Sequence, residues 1–338
     1  MKINRLLIPI CFLGFAAQAQ DGIEDLLAAG VEDAKRFSNS YFAPAAEGIM
    51  YSLSNGWYNT GKGKKLGQFE ISIIGNASFI KDEHKQFQLN TADYNNLRFT
   101  NPGQASGMVA SSLGENNPDI NMVIEYEDEF GNTQELGITL PQGIGSAGVN
   151  ILPSAFLQAN VGLIKGAEVK FRFLPKIDQE DVEVQLFGGG IQYEVTSLLP
   201  AEKIFPLHIS AVIGYTSLKA SYDFTGSSII DGENQRVETE VDSWLFSAVA
   251  STKLPVINFY GGIGFISGNS TSSVLGTYRI QEGVLANETL VDPYSVENKV
   301  SGVKATVGFK LKLAFFRLNA DYSFQEYNNL SVGLNFGI

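Results

Sequence analysis

From Asn329 to the last residue the chain alternates without interruption: Leu330, Val332, Leu334, Phe336 and Ile338 fall on one face, and Asn329, Ser331, Gly333, Asn335 and Gly337 on the other. Period two defines a strand with one apolar and one polar side. Chain ends usually fray, so a strand that reaches the final residue implies a partner to pair with. The pattern recurs upstream. Phe69, Ile71, Ile73, Ala77 and Phe79 alternate with Glu70, Ser72, Asn76 and Ser78, and Leu157, Ala159, Val161 and Leu163 with Gln158, Asn160 and Gly162. Phe316, Leu318, Ala320, Tyr322 and Phe324 alternate with Arg317, Asn319, Asp321 and Ser323. Lys165-Gly166 and Phe130-Gly131-Asn132 read as tight turns between such runs.

The terminal strand resembles the C-terminal assembly signal of Gram-negative outer-membrane β-barrels, with Ser331, Gly333, Phe336 and Ile338 in its four characteristic places. The resemblance implies that the barrel-assembly machinery is a partner and that this strand closes against the first one. The other end agrees. Residues 1–19 read as a signal peptide: Lys2 and Arg5 supply the positive region, residues 6–16 the apolar core, and Ala17-Gln18-Ala19 the cleavage pattern. The single cysteine, Cys11, lies in that segment, so the processed chain is expected to carry no thiol, disulfide or Cys-ligated metal.

Beyond the signal, no apolar run approaches the roughly 20 residues of a membrane-spanning helix. A chain with 35 Gly, 23 Phe and 13 Tyr instead suits strands that give half their residues to lipid and half to a polar lumen. The net charge of −12 argues against nucleic acid, since there is no basic stripe to neutralise phosphates. The expected fold is therefore all-β: a transmembrane antiparallel barrel of about 12 strands, or 14 if more lie within residues 81–118 or 268–301. Expected neighbours are outer-membrane lipid and lipopolysaccharide. Lys170, Arg172, Lys304, Lys310, Lys312, Arg317 and Asp321 would then face the lumen. Counting back from a periplasmic C-terminus puts the short turns at Lys165-Gly166, residues 199–205, Leu254-Pro255 and Phe315 inside, and the long stretches 81–118, 226–235 and 268–301 outside.

Residues 20–65 have a different rhythm. Ile23, Leu26, Leu27, Val31 and Ala34 recur at helical spacing, a break is expected from Ser38 to Pro44, and a second short helix from Ala45 to Leu53. So short a segment cannot stand as its own domain, and a plug inside the barrel formed by residues 66–338 gives it something to pack on. This plug-and-barrel plan looks like that of the FadL-type transporters of hydrophobic compounds, although their Asn-Pro-Ala pattern survives only as Ala43-Pro44-Ala45. Asn55-Gly56-Trp57-Tyr58-Asn59-Thr60 is similar to an uncharacterised Gram-negative outer-membrane family. The FadL resemblance implies passive uptake, with a hydrophobic small molecule as ligand and a strand distortion opening a lateral path. Candidates for the ligand lining are Ile49, Met50, Leu53, Trp57 and Tyr58. Gly188, Gly189 and Gly190, where the apolar phase shifts, are candidates for the distortion.

Catalytic chemistry has little support. His208 and Ser210 share a strand face, which permits a dyad on paper, but a lumen histidine with structural partners is the simpler reading. The acidic runs 125–129 and 178–183 match no calcium loop, and Gly261-Gly262-Ile263-Gly264 is followed by no helix. No enzyme activity, cofactor or metal is expected. A structural or surface-binding barrel with no open path remains the alternative to uptake, with an outer-membrane enzyme third.

Overall fold

In the computed structural model, residues 22–128, 130–179, 181–198, 206–224, 227–313 and 315–337 are described. The signal segment and Ile338 lie outside them. Ten strands form the wall. They are β1 (Phe69–Phe79), β2 (Ile151–Ile164), β3 (Ala167–Gln179), β4 (Val182–Glu194), β5 (Leu207–Asp223), β6 (Ile230–Thr252), β7 (Ile257–Ile280), β8 (Tyr294–Leu313), β9 (Phe316–Phe324) and β10 (Asn329–Gly337). Each pairs antiparallel with its neighbours in sequence, and β10 pairs antiparallel with β1 from Glu70↔Gly337 to Ser78↔Asn329, which closes the ring. Closure leaves no free edge for another chain to extend.

The wall has ten strands rather than about 12. The two runs that inflated the count, Asn121–Glu127 and Thr133–Thr139, pair with each other and with Leu97–Phe99 in a separate three-stranded sheet within the long connection between β1 and β2. Much of the stretch read as an insertion at 268–301 is wall, since β7 runs to Ile280 and β8 starts at Tyr294. The connections do segregate. Those at 165–166 and 253–256 and the start of β9 share one end of the barrel, together with the entry to β1; the β1–β2 connection and the one after β7 share the other. These are called the turn end and the loop end.

Outward positions carry an apolar band. On β1 these are Phe69, Ile71, Ile73 and Phe79, on β7 Phe259, Ile263 and Phe265, and on β8 Val303, Val307 and Phe309, all exposed. The ten steps from Phe69 to Phe79, at about 3.3 Å each and tilted about 40°, span about 25 Å, the height of a hydrocarbon core crossed by a barrel. A water-soluble protein would not present so continuous an apolar girdle. The chain is a transmembrane barrel.

Inside runs one helix, α1 (Val31–Leu53), preceded by a 3-10 turn at Glu24–Ala29. The expected break does not occur; α1 continues through Pro44. Its surroundings explain this. The helix lies in the lumen with Met50 and Leu53 buried low in the barrel and Phe37 and Tyr41 buried against Phe87 and Gln142 of the β1–β2 connection, and Tyr327 donates a hydrogen bond to the Pro44 carbonyl (2.7 Å). Packing of the helix on its surroundings outweighs the local penalty of the proline ring, and the Tyr327 bond tethers the helix at that point.

Candidate functional site

The site that the fold builds is the occupied lumen. It starts at the C-terminal end of α1, where the last carbonyls of any helix lack partners. Here each meets a donor. Ser243 donates to the Met50 carbonyl (2.9 Å), Ser54 and Asn55 side chains to Tyr51 (2.7 and 2.8 Å), and the Arg172 guanidinium to Leu53 (2.8 Å) and, one step on, to Asn55 (2.6 Å). Lys304 reaches the Ser54 carbonyl (3.3 Å) and the Asn55 amide oxygen (2.5 Å). Two wall cations at the negative end of the helix dipole are favourably placed. Arg172 is also sandwiched, its guanidinium carbon 3.7 Å from the Trp57 ring centre and 4.3 Å from that of Phe156. A desolvated cation over an aromatic face is held electrostatically.

Below this clamp residues 54–66 descend to the turn end as an irregular strap, tied down by charge. Glu70 accepts from Lys310 (3.0 Å) and from the Asn59 amide (3.0 Å), with Lys64 and Arg317 close by at 3.6 and 3.4 Å. Glu168 receives Lys170 (2.5 Å) and the backbone N–H of Lys64 (3.1 Å). Glu194 receives the N–H of Gly63 (2.9 Å) and contacts His208 Nδ1 (2.6 Å). Buried ionised groups are tolerated only when paired and hydrogen-bonded, and here the strap supplies part of each set.

The wall is shaped for the plug. Gly190 and Gly214 sit opposite each other on β4 and β5, and a Cβ on either would lie 2.7 or 2.4 Å from Trp57 ring atoms. Gly262 likewise leaves room for the Tyr58 hydroxyl, 2.5 Å from where a Cβ would stand.

Several expectations change in this light. Pairing of β4 with β5 runs unbroken through Gly188, Gly189 and Gly190, so the ladder is not distorted at these residues. The irregularity on this side is a bulge on β3 between Leu174 and Ile177. The phase shift in the sequence has another cause. Toward the loop end β4 turns Val182, Val184 and Leu186 inward and Glu183 and Gln185 outward, whereas toward the turn end it turns Phe187 and Ile191 outward and Gln192 and Glu194 inward. The strand keeps its phase while its surroundings change from water to lipid. Met50, Leu53, Trp57 and Tyr58 are buried and Ile49 half-buried, and all pack in the hydrophobic core. Ser331 donates to Asn76 (2.5 Å) across the closing seam. Gly333 clears the Asn319 side chain, where a Cβ would meet Oδ1 at 2.3 Å, and Phe336 faces outward.

As expected, Lys170, Arg172, Lys304, Lys310 and Asp321 are buried on the lumen side. His208 and Ser210 are both engaged, but by different groups: His208 by Glu194, Ser210 by donating to the Gly61 carbonyl (2.5 Å). Both thus fasten the strap. Of the acidic runs, Glu125 lies 3.6 Å from Arg98, and Glu183 2.6 Å from Lys176. The other histidine, His84, stacks on Tyr327 (4.0 Å between centres) with its Nε2 3.2 Å from Glu326. Burial holds its pKa below the ordinary value, against the pull of Glu326. Glu83 completes a three-ligand cluster there, but the Lys81 ammonium already bridges Glu326 (2.7 Å) and Glu83 (3.3 Å). The partners missed in the sequence are Glu70, Glu168, Glu194 and Lys64. Each acid is an isolated polar position in an alternating strand, and nothing local shows that it meets the strap.

Fold and site together define a transmembrane β-barrel whose lumen is filled by its own N-terminal segment. The chain belongs to the family of unknown function DUF6588, whose sequence profile matches residues 1–338. No curated protein matches it by sequence. Among solved structures it is similar to Ail, the attachment invasion locus protein of Yersinia pestis (10% identity, 81% of this chain and 99% of that one, TM-score 0.28). It is also similar to the translocator domain of the autotransporter NalP from Neisseria meningitidis (11%, 89% and 98%, TM-score 0.30). At such TM-scores the likeness adds nothing to the barrel read directly from the ring and its girdle.

Proposed function

We propose that this chain is an outer-membrane barrel sealed by its own plug, a non-conducting anchor that holds a polar, loop-bearing crown at the cell surface for binding. The observation that carries the reading is Arg172, fully buried, stacked on Trp57 and donating to the plug carbonyls of Leu53 and Asn55. A plug that withdrew to let solute pass would strand this guanidinium and strip Glu70, Glu168 and Glu194 of strap partners. Breaking one buried, hydrogen-bonded ion set typically costs about 3–5 kcal/mol, and here several would break together. FadL-type uptake of a hydrophobic compound is the second reading, and it requires either that withdrawal or a lateral opening in the wall, where the ladder through Gly188 to Gly190 is unbroken.

The crown is what remains available to partners. Toward the loop end, strands β3 to β6 face outward with Asp178, Glu183, Asp223 and Glu238 beside Lys219 and Arg236, lining a groove of about 500 Å³. Outer-membrane localisation rests on the C-terminal strand and the lipid-facing girdle. Lipopolysaccharide and the barrel-assembly machinery are the partners that this location implies.

Conductance tests the seal. Reconstituted in planar bilayers, the intact chain is expected to insert without opening steady channels. Discrete, sustained channels from the intact protein would overturn the sealed reading and favour uptake.

A further inference from the structure

The direction in which the plug lies in the barrel is fixed at both of its ends. At the N-terminal end every anchor belongs to the loop end. Asp33 accepts from the backbone N–H groups of Asn95 and Asn96 (both 2.8 Å), and the Asn96 side chain donates to the Ala29 carbonyl (2.9 Å). Val284 N–H donates to the Ala28 carbonyl (2.8 Å), and Ser227 is hydrogen-bonded to Asp25. All these partners lie in connections on the side of the barrel away from the C-terminus. At the other end Gly61 N–H donates to Ser251 Oγ (2.9 Å), Gly63 N–H to Glu194 and Lys64 N–H to Glu168, all near the turn end.

The chain therefore traverses the barrel twice before the second strand begins. It descends through the lumen from residue 29 to residue 64 and climbs back in the wall as β1. The 23 residues of α1 span roughly 34 Å at the usual helical rise, more than the apolar band alone. A plug that had entered from the turn end and folded back on itself would bring both of its ends to that side. This one does not.

We propose that the N-terminal end of the plug is delivered through its own barrel to the loop side, so that the protein displays the head of its plug at the outer surface. The displayed face carries Glu32, Lys35, Arg36 and Asn39, which are exposed although Ala34, Phe37 and Ser38 beside them are buried. A corollary concerns assembly. The ring is closed and its lumen filled, so the charged head of α1 has no route through a finished barrel, and the β1–β10 seam closes around a plug already in place. The inference rests on the membrane-barrel reading and on the orientation taken from the C-terminal strand.

Single-cysteine labelling tests it, because the sequence's one cysteine lies in the segment expected to be removed. Glu32→Cys marks the head of the plug, Glu135→Cys the long connection and Lys65→Cys the turn end, all at exposed positions. On intact cells a membrane-impermeant maleimide should label Glu32→Cys and Glu135→Cys, and should reach Lys65→Cys only after the outer membrane is permeabilised. If Glu32→Cys labels together with Lys65→Cys and apart from Glu135→Cys, the threading is wrong. If Lys65→Cys labels on intact cells while the other two do not, the head faces the periplasm and display is overturned. Channel formation by the intact chain would defeat the sealed-anchor reading and leave this labelling pattern unchanged.

Discussion

A single side chain, Arg172, joins the two halves of the molecule. It extends from β3, passes between Trp57 and Phe156, and ends on the carbonyl of the last residue of α1, Leu53, and on that of Asn55 just beyond it. In the sequence it is one more polar residue in an alternating strand, and its inward direction is legible there. Its partners are not, because they lie 117 and 119 positions away, in a segment with a different rhythm. Arg172→Ala takes the donor from the buried Asn55 carbonyl and from Gln158 Oε1 and leaves Leu53 only a long bond from Thr216 (3.5 Å), at about 1–3 kcal/mol for each buried group left unpaired, and removes the stack on Trp57 as well. The variant should still insert and close, since no wall hydrogen bond of the backbone is touched. Its chemical-denaturation midpoint in detergent should fall well below wild type. An unchanged midpoint would mean that the plug is held by shape alone and that the clamp contributes little.

At the scale of elements, strand identity, the turn at Lys165-Gly166 and the closing role of the last strand could all be read in the sequence. These are local properties, set by period two and by turn chemistry. The strand count could not, because Asn121–Glu127 and Thr133–Thr139 alternate like wall strands and pair only with other loop-end segments. The glycines of β4 were legible as special but not in their purpose. One of them, Gly190, forms a socket together with Gly214, and what the pair accommodates is a tryptophan from another element. This fit makes a coupled prediction. Gly214→Ala introduces a methyl 2.4 Å from the Trp57 indole, an overpacking that costs about 1–3 kcal/mol. In a Trp57→Ala background the same substitution meets open space and should cost much less. A double-mutant cycle on unfolding midpoints reads the difference. Equal costs in the two backgrounds would show that Gly214 is required for strand geometry and not for the indole.

Over the whole molecule, the wall changes solvent with height. On β7 the outward residues near the turn end are Phe259, Ile263 and Phe265, and farther along the same face they become Asn269, Thr271 and Ser273. The inward residues change in the opposite sense, from Asn258 to Ile266, Val274 and Tyr278. Below the rim this is a membrane barrel with a polar, ion-paired lumen; above it, the same strands enclose an apolar core like that of a soluble β-barrel. A mean hydropathy near zero conceals both regimes. The transition lies near Tyr215 and Trp244, whose rings are 4.7 Å apart and where the Tyr215 hydroxyl reaches Asp242 (2.6 Å), the arrangement of an interfacial aromatic girdle. Two substitutions on one strand face locate the boundary. Ile263→Lys places an ammonium in the hydrocarbon band and should destabilise the protein in lipid vesicles by about 2–4 kcal/mol if it lies near the midplane. Thr271→Lys, eight residues along the same face, enters water and should stay within about 0.5 kcal/mol of wild type. Urea unfolding in vesicles, followed by tryptophan fluorescence, measures both. Equal and large penalties would mean that the bilayer reaches the crown, and the groove at its outer wall would then face lipid instead of the medium.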